Sequence, residues 1–129
     1  MATEQPGQLV SFKAAISMAS HQYKFVKMSA NDTVTLCTAT TDIPVGIIQN
    51  APGSLAAASV MVQGVSKLVG GGSLTVGALV GTDAAGLGTL IVAGTSGTVA
   101  YPVAQVLSSN TAANGIATVL LGNTPTHSF

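Results

Sequence analysis

Val10, Phe12, Ala14 and Ile16 alternate with Ser11, Lys13, Ala15 and Ser17, the spacing of a strand with one buried face. Runs of the same kind, rich in Val, Ile and Thr, recur at 23–28, 34–38, 45–49, 59–69, 78–82, 90–92, 99–107 and 115–121. Between them stand turn-forming clusters: Ser29-Ala30-Asn31-Asp32, Ala51-Pro52-Gly53-Ser54, Gly70-Gly71-Gly72-Ser73, Asp83 to Gly88, and Asn110 to Asn114. No amphipathic helical stripe is sustained, although the Ala-rich pieces 14–19 and 55–58 could each form one helical turn. Many short strands at regular spacing predict an all-β chain, mainly β with at most short helical turns, built as a small β-barrel or sandwich.

A weak echo runs through the pattern. Pro44-Val45-Gly46-Ile47-Ile48 leads to a segment ending in Val60-Met61-Val62-Gln63-Gly64, and 58 residues on Pro102-Val103-Ala104-Gln105-Val106 leads to Thr118-Val119-Leu120-Leu121-Gly122. Each reads as strand, loop of small residues, strand. Two such units would pair in a pseudo-symmetric barrel, or they share only a common hairpin idiom. The ends differ from this β-rich stretch. Residues 1–8 have little apolar side chain to anchor them and read as an extended N-terminal arm, 9–122 as a single β-rich domain, and 123–129 as a C-terminal tail.

Composition narrows the function. Of 129 residues only 6 % are charged, four acids against four bases, where ordinary soluble domains carry roughly a quarter. A nucleic-acid binder or a polybasic membrane-surface protein would need a basic field this chain lacks. Mean hydropathy is +0.57, yet a spanning helix needs about 20 mostly apolar residues in a row. The longest such run, counting Gly, is Val76 to Gly81. Residues 1–8 show neither the basic nor the apolar region of a secretory signal. The single cysteine, Cys37, allows no intrachain disulfide.

Groups able to do acid–base chemistry are few: His21, His127, Asp32, Asp42, Asp83 and Glu4. His127 and Glu4 lie in the tails, and the three aspartates lie in turns, where Asp caps its own backbone. Cys37 sits in a Thr-rich strand and reads as a small buried thiol. Two distant histidines and one cysteine give no metal-ligand spacing. Gly70-Gly71-Gly72 lacks the Lys and hydroxyl of a phosphate loop, and Gly86-Leu87-Gly88 completes no dinucleotide fingerprint. Asn31-Asp32-Thr33 matches the glycosylation sequon but without a secretory signal has no use for it. Lys27-Met28 faintly resembles the hairpin lysine of biotinyl or lipoyl carrier domains, but Phe25-Val26 precede it where those domains present acidic or small residues. Lys24 and Lys27 read instead as exposed strand lysines with their stems over apolar neighbours. These residues predict a protein that is not an enzyme, with no catalytic, metal or cofactor site and no small-molecule substrate.

From Tyr23 onward the order of short motifs resembles the capsid decoration, or cement, proteins of tailed bacteriophages. The resemblance rests on Tyr23-Lys24-Phe25-Val26-Lys27, on Asp42-Ile43-Pro44-Val45-Gly46-Ile47-Ile48-Gln49-Asn50 and on Val60-Met61-Val62-Gln63-Gly64-Val65. It continues through Gly70-Gly71-Gly72-Ser73-Leu74-Thr75-Val76-Gly77, Thr82-Asp83-Ala84-Ala85-Gly86 and the closing segments 102–106 and 116–121. Many members are more acidic than this chain, so contacts made by their acidic residues do not carry over. The resemblance implies a head-stabilising structural protein on the outer capsid surface of a virion, made in the host cytoplasm. Its partner would be the major capsid protein, and it would bind as a homotrimer at three-fold or quasi-three-fold points. Under that reading Ala2, Thr3, Glu4, Gln5, Pro6, Gly7 and Gln8 form the arm that reaches the capsid or a neighbouring copy. The alternatives are a surface-displayed fibre or glycan-binding β-domain using the Thr and Ser loops and, more remotely, the carrier domain.

Overall fold

In the computed structural model, which describes residues 5–91, 103–110 and 112–121, the chain is all-β, and no helix is present among the described residues. Nine strands follow in order: β1 (Gln5–Ala14), β2 (Phe25–Ala30), β3 (Thr33–Leu36), β4 (Gly46–Ile48), β5 (Ala57–Val69), β6 (Leu79–Thr82), β7 (Gly88–Leu90), β8 (Ala104–Ser108) and β9 (Ile116–Leu121). Each overlaps one of the alternating runs. The first is displaced: its strand starts at Gln5 and stops at Ala14, so Ile16 lies outside it and is 44 % exposed. The boundary expected between an arm ending at residue 8 and the domain therefore falls inside β1. The helical turns expected at 14–19 and 55–58 do not form. There the backbone bonds across to other segments: Ala14 N–H donates to Ala56 C=O, Met18 N–H to Pro52 C=O and Leu55 N–H to Ala14 C=O. Alanine's helix preference is worth only tenths of a kcal/mol per residue and yields to those contacts.

Five strands close into a barrel in the order β1-β3-β2-β4-β5, with β5 returning to β1. The β1–β3 pair is parallel (Lys13↔Thr33) and the other pairs in the ring are antiparallel. The remaining four extend the sheet from β5 as β5-β9-β8-β6-β7. A parallel bridge between Gly70 and Gly88 ties the far edge back to the end of β5. The two echoing units stand side by side, β4 on β5 (Ile47↔Met61) and β8 on β9 (Val106↔Val119), joined through β5–β9. Only the first belongs to the closed barrel, so the pair of units does not itself make the barrel.

There are two cores. The barrel interior holds Ala14, Val26, Val34, Ile48, Ala58 and Val60, with Met18 at its end. A five-stranded barrel is narrow and is filled by side chains of this size, which gives the low aromatic content a structural use. The second core, between the barrel wall and the added strands, holds Phe25, Ile47, Met61, Leu68, Leu74, Val80, Val106 and Val119. Adjacent strand residues point to opposite faces. Thus Val26, Ile48 and Val60 face the barrel while Phe25, Ile47 and Met61 face the second core, and β4 is buried throughout.

Strand β5 serves both cores and changes phase to do so. Met61 and Leu68 line the same core although an odd interval separates them, which a regular strand would forbid. Between them Gly64 has a φ of +123°, and the β1–β5 register shifts on either side of Gln8. That irregularity is a β-bulge in the physical sense, one residue spent on re-aiming the rest, and glycine tolerates the backbone it needs.

Candidate functional site

The polar groups singled out in the sequence are each engaged in holding loops. Asp42 ends the 37–42 loop: its Oδ2 accepts from Lys27 Nζ at 2.9 Å and from the backbone N–H of Thr38 and Ala39 at 2.8 and 3.0 Å. Those donors, Lys27 foremost, hold its carboxyl below the usual aspartate range. Lys27 is thereby half of an ion pair, not a presented lysine. Asp83 Oδ1 accepts from Ala85 and Leu87 N–H and shapes the β6–β7 hairpin. Asp32 occupies the left-handed region (φ +53°) in the β2–β3 turn, a conformation Asp tolerates better than most residues. These placements agree with the turn reading of all three aspartates.

His21 Nδ1 lies 3.2 Å from Lys24 Nζ, and desolvation together with that lysine lowers the imidazole pKa. Cys37 is fully buried in the second core, and burial pushes its thiol up to about 11, outweighing the hydrogen bond with the Thr82 side chain. A thiol so protonated is no nucleophile at neutral pH. Among the described residues, no group of three or more His, Cys, Asp and Glu side chains is placed to hold a metal ion. Ala2, Thr3, Glu4 and His127, with the tail 123–129, lie outside the described residues. Of the arm, Gln5, Pro6, Gly7 and Gln8 belong to β1, with Gln5 opposite Val65 and Gln8 opposite Gln63.

Two features escape a reading of the sequence. Asn110, in a stretch that reads only as a turn, is 8 % exposed, and its amide joins the 72–74 loop to the 112–115 turn. The second is the end of the barrel where β1 stops. There the 51–56 loop between β4 and β5 packs on 15–20. Asn50 clamps the base of the loop, Nδ2 donating to Ala57 C=O and Oδ1 accepting from Ser59 N–H, both at 3.0 Å. Gln49 is held in turn by Ile47 C=O and the Ser66 hydroxyl. Pro52 and Met18 are buried beneath, while Leu55 stands 65 % exposed. The Gln49-Asn50 pair quoted for the resemblance is thus the structural anchor of an apolar, uncharged tip.

No family model and no curated protein sequence matches the chain. Among solved structures it is similar to "The crystal structure of head fiber gp8.5 N base in bacteriophage phi29". The superposition has a TM-score of 0.66 at 13 % identity and covers 94 % of this chain and 100 % of that one. At that identity the likeness is one of fold, and it spans both the barrel and the added strands.

Proposed function

We propose that this chain is a structural protein of a phage virion that binds the outer surface of the assembled head and stabilises it, as trimers at three-fold or quasi-three-fold points. The observation that carries the reading is the fold held in common with a head-fibre base over nearly the whole of both chains. The motifs that resemble cement proteins add to it, because they fall on the elements that define this fold. They lie on β4 and its anchor Gln49-Asn50, on the phase-changing part of β5, on the glycine loop after it, and on the Asp83 hairpin.

The mechanism is one of cross-linking. A rigid domain bound across a junction in a shell adds contacts that must break before the junction opens. Three copies docking together raise avidity by about 10² to 10⁴ over one, so each copy can rely on a modest contact. The arm, Ala2 to Gln8, serves a neighbouring copy or the major capsid protein. In this reading the protein catalyses nothing and takes no cofactor, nucleic acid or membrane as partner.

A second reading is favoured by the same likeness: the domain is the head-attached base of a surface fibre. The test is to add purified protein to phage heads that lack it. Imaging of the particles reads occupancy and symmetry site, and the solution mass reads the trimer. Heads that remain bare at micromolar protein would end both readings; density continuing outward as a stalk would favour the second.

A further inference from the structure

Among the described residues, four other than glycine occupy the left-handed backbone region: Tyr23, Asp32, Leu55 and Asn114, with φ between +53° and +64°. Three have evident reasons. Asp32 and Asn114 are residue types that tolerate this conformation in turns. Tyr23 packs against the second core, and its backbone bonds Ile48 and Val69. Leu55 is neither a turn-tolerant residue type nor packed against a core: it is bulky and is the most exposed of the large apolar residues described.

The surroundings show that the loop is built to hold it there. Leu55 N–H donates to Ala14 C=O at 2.8 Å and Ala56 N–H to Gly53 C=O at 3.1 Å, while Asn50 ties the loop base to Ala57 and Ser59. Ile16, 44 % exposed, follows closely on Ala14, the residue that takes the Leu55 hydrogen bond. Residues 14–20 and 50–60 contain no charged side chain. Backbone strain retained at a surface residue marks a functional constraint, and a pre-organised side chain loses little entropy on docking.

We propose that Leu55, with Ile16 two residues along from its hydrogen-bond partner Ala14, is the element that seats the domain on the protein coat of the phage head, inserting into an uncharged apolar pocket of the coat. This rests on the head-binding reading and goes beyond it by assigning the contacting end. The area decides between occupants. A stable pair of proteins needs about 800 Å² from each partner, far more than two side chains supply, so this tip does not sustain a dimer of this chain in solution. A coat that repeats its pocket many times makes a small contact sufficient through avidity. The tip also lies at the opposite end of β1 from Gln5, about 30 Å away at strand spacing, which leaves the arm to neighbouring copies.

The test compares full-length protein with Leu55→Asn and Leu55→Met in co-sedimentation with phage heads lacking the protein. Val76→Thr, at a position 59 % exposed near β6, is the control. Asn suits the left-handed backbone, so Leu55→Asn should unfold at a higher denaturant concentration than wild type yet bind heads about ten- to a hundred-fold more weakly. Leu55→Met and Val76→Thr should bind within about two-fold of wild type. Equal binding by Leu55→Asn and wild type overturns the tip assignment alone. So does a loss of self-association with head occupancy unchanged, or a wild-type protein that floats with phosphatidylcholine vesicles through Leu55. Failure of wild type to bind at all overturns the head-binding reading and the tip with it.

Discussion

Asn110 and Leu74 are 36 positions apart in sequence, yet the Asn110 Oδ1 accepts the Leu74 N–H at 2.6 Å. On its other side Asn110 Nδ2 donates to the carbonyls of Gly72 and Ala112, each at 2.9 Å. One side chain thus extends the contact that two backbone bonds begin, Gly70 N–H to Gly115 C=O and Asn114 N–H to Gly70 C=O, between the glycine loop and the turn before β9.

Asn110→Ala leaves those backbone groups without partners in a buried place and should cost about 2–3 kcal/mol in urea denaturation. Asn110→Asp should be no better, since it sets a carboxylate oxygen against two carbonyls. A loss under about 0.5 kcal/mol for both would show that water replaces the amide.

Acid should weaken the fold through Asp42. Its folded pKa is depressed, so the folded state holds the carboxylate more readily than the unfolded chain does. The contribution is complete at neutral pH. It fades as pH falls through the usual aspartate range and then through the lower pKa of the folded protein. Asp42→Asn should flatten the acid limb of a plot of urea midpoint against pH; an unchanged limb would assign it to other groups.

Alkali acts with the opposite sign at Cys37. Burial raises its pKa to about 11, so the folded protein retains the proton after an unfolded chain has lost it. That stability is present at neutral pH and is lost as pH climbs through the ordinary thiol range toward about 11. The native protein should accordingly resist an aromatic disulfide reagent at pH 8 and react promptly in 6 M urea. Prompt native labelling would mean that the second core opens readily.

Gly46 is predicted to be intolerant of any side chain, because a Cβ there would collide with the Met61 carbonyl oxygen and crowd Val60. The collision is with the backbone of the shared strand and not with a flexible side chain. Gly46→Ala should therefore cost several kcal/mol, on the order of 3, or prevent soluble expression. Gly53→Ala, which meets nothing nearby, is the companion that should fold normally.

Head binding should depend little on salt. With a net charge of zero association is unsteered, at about 10⁵ to 10⁶ M⁻¹s⁻¹. A collapse of binding between 50 and 300 mM NaCl would contradict this. For the arm, removing residues 1–4 spares β1, whereas removing 1–8 deletes the Gln5↔Val65 and Gln8↔Gln63 pairs. The shorter deletion is the cleaner probe: reduced head occupancy with an unchanged melting temperature supports the arm's role, and full occupancy removes it.

Strand positions were the legible part of this sequence because alternation is a local property. The 45–49 run needed only its own residues to announce β4, as did 59–69 for β5. What β5 does with its two faces was not legible, since the switch at Gly64 depends on β1, β4 and β9 arriving on its edges. The start of β1 was hidden for a related reason: Gln5 to Gln8 alternate nothing, and their pairing comes from β5. Asn110 looks like any turn asparagine until Leu74 is brought to it. Leu55 sits in a loop of small residues, and the sign of a φ angle leaves no trace in composition.

The shared strand also fixes how the molecule bears load. At Val65, β5 is bonded to β1 on one edge and β9 on the other, so a pull along its length sets the hydrogen bonds of both neighbours in shear, where they must fail together. Tension between the Leu55 end and the β9 end runs along that direction. A shell under outward pressure would stretch a bound domain in this way, and β5 would act as its tie-rod.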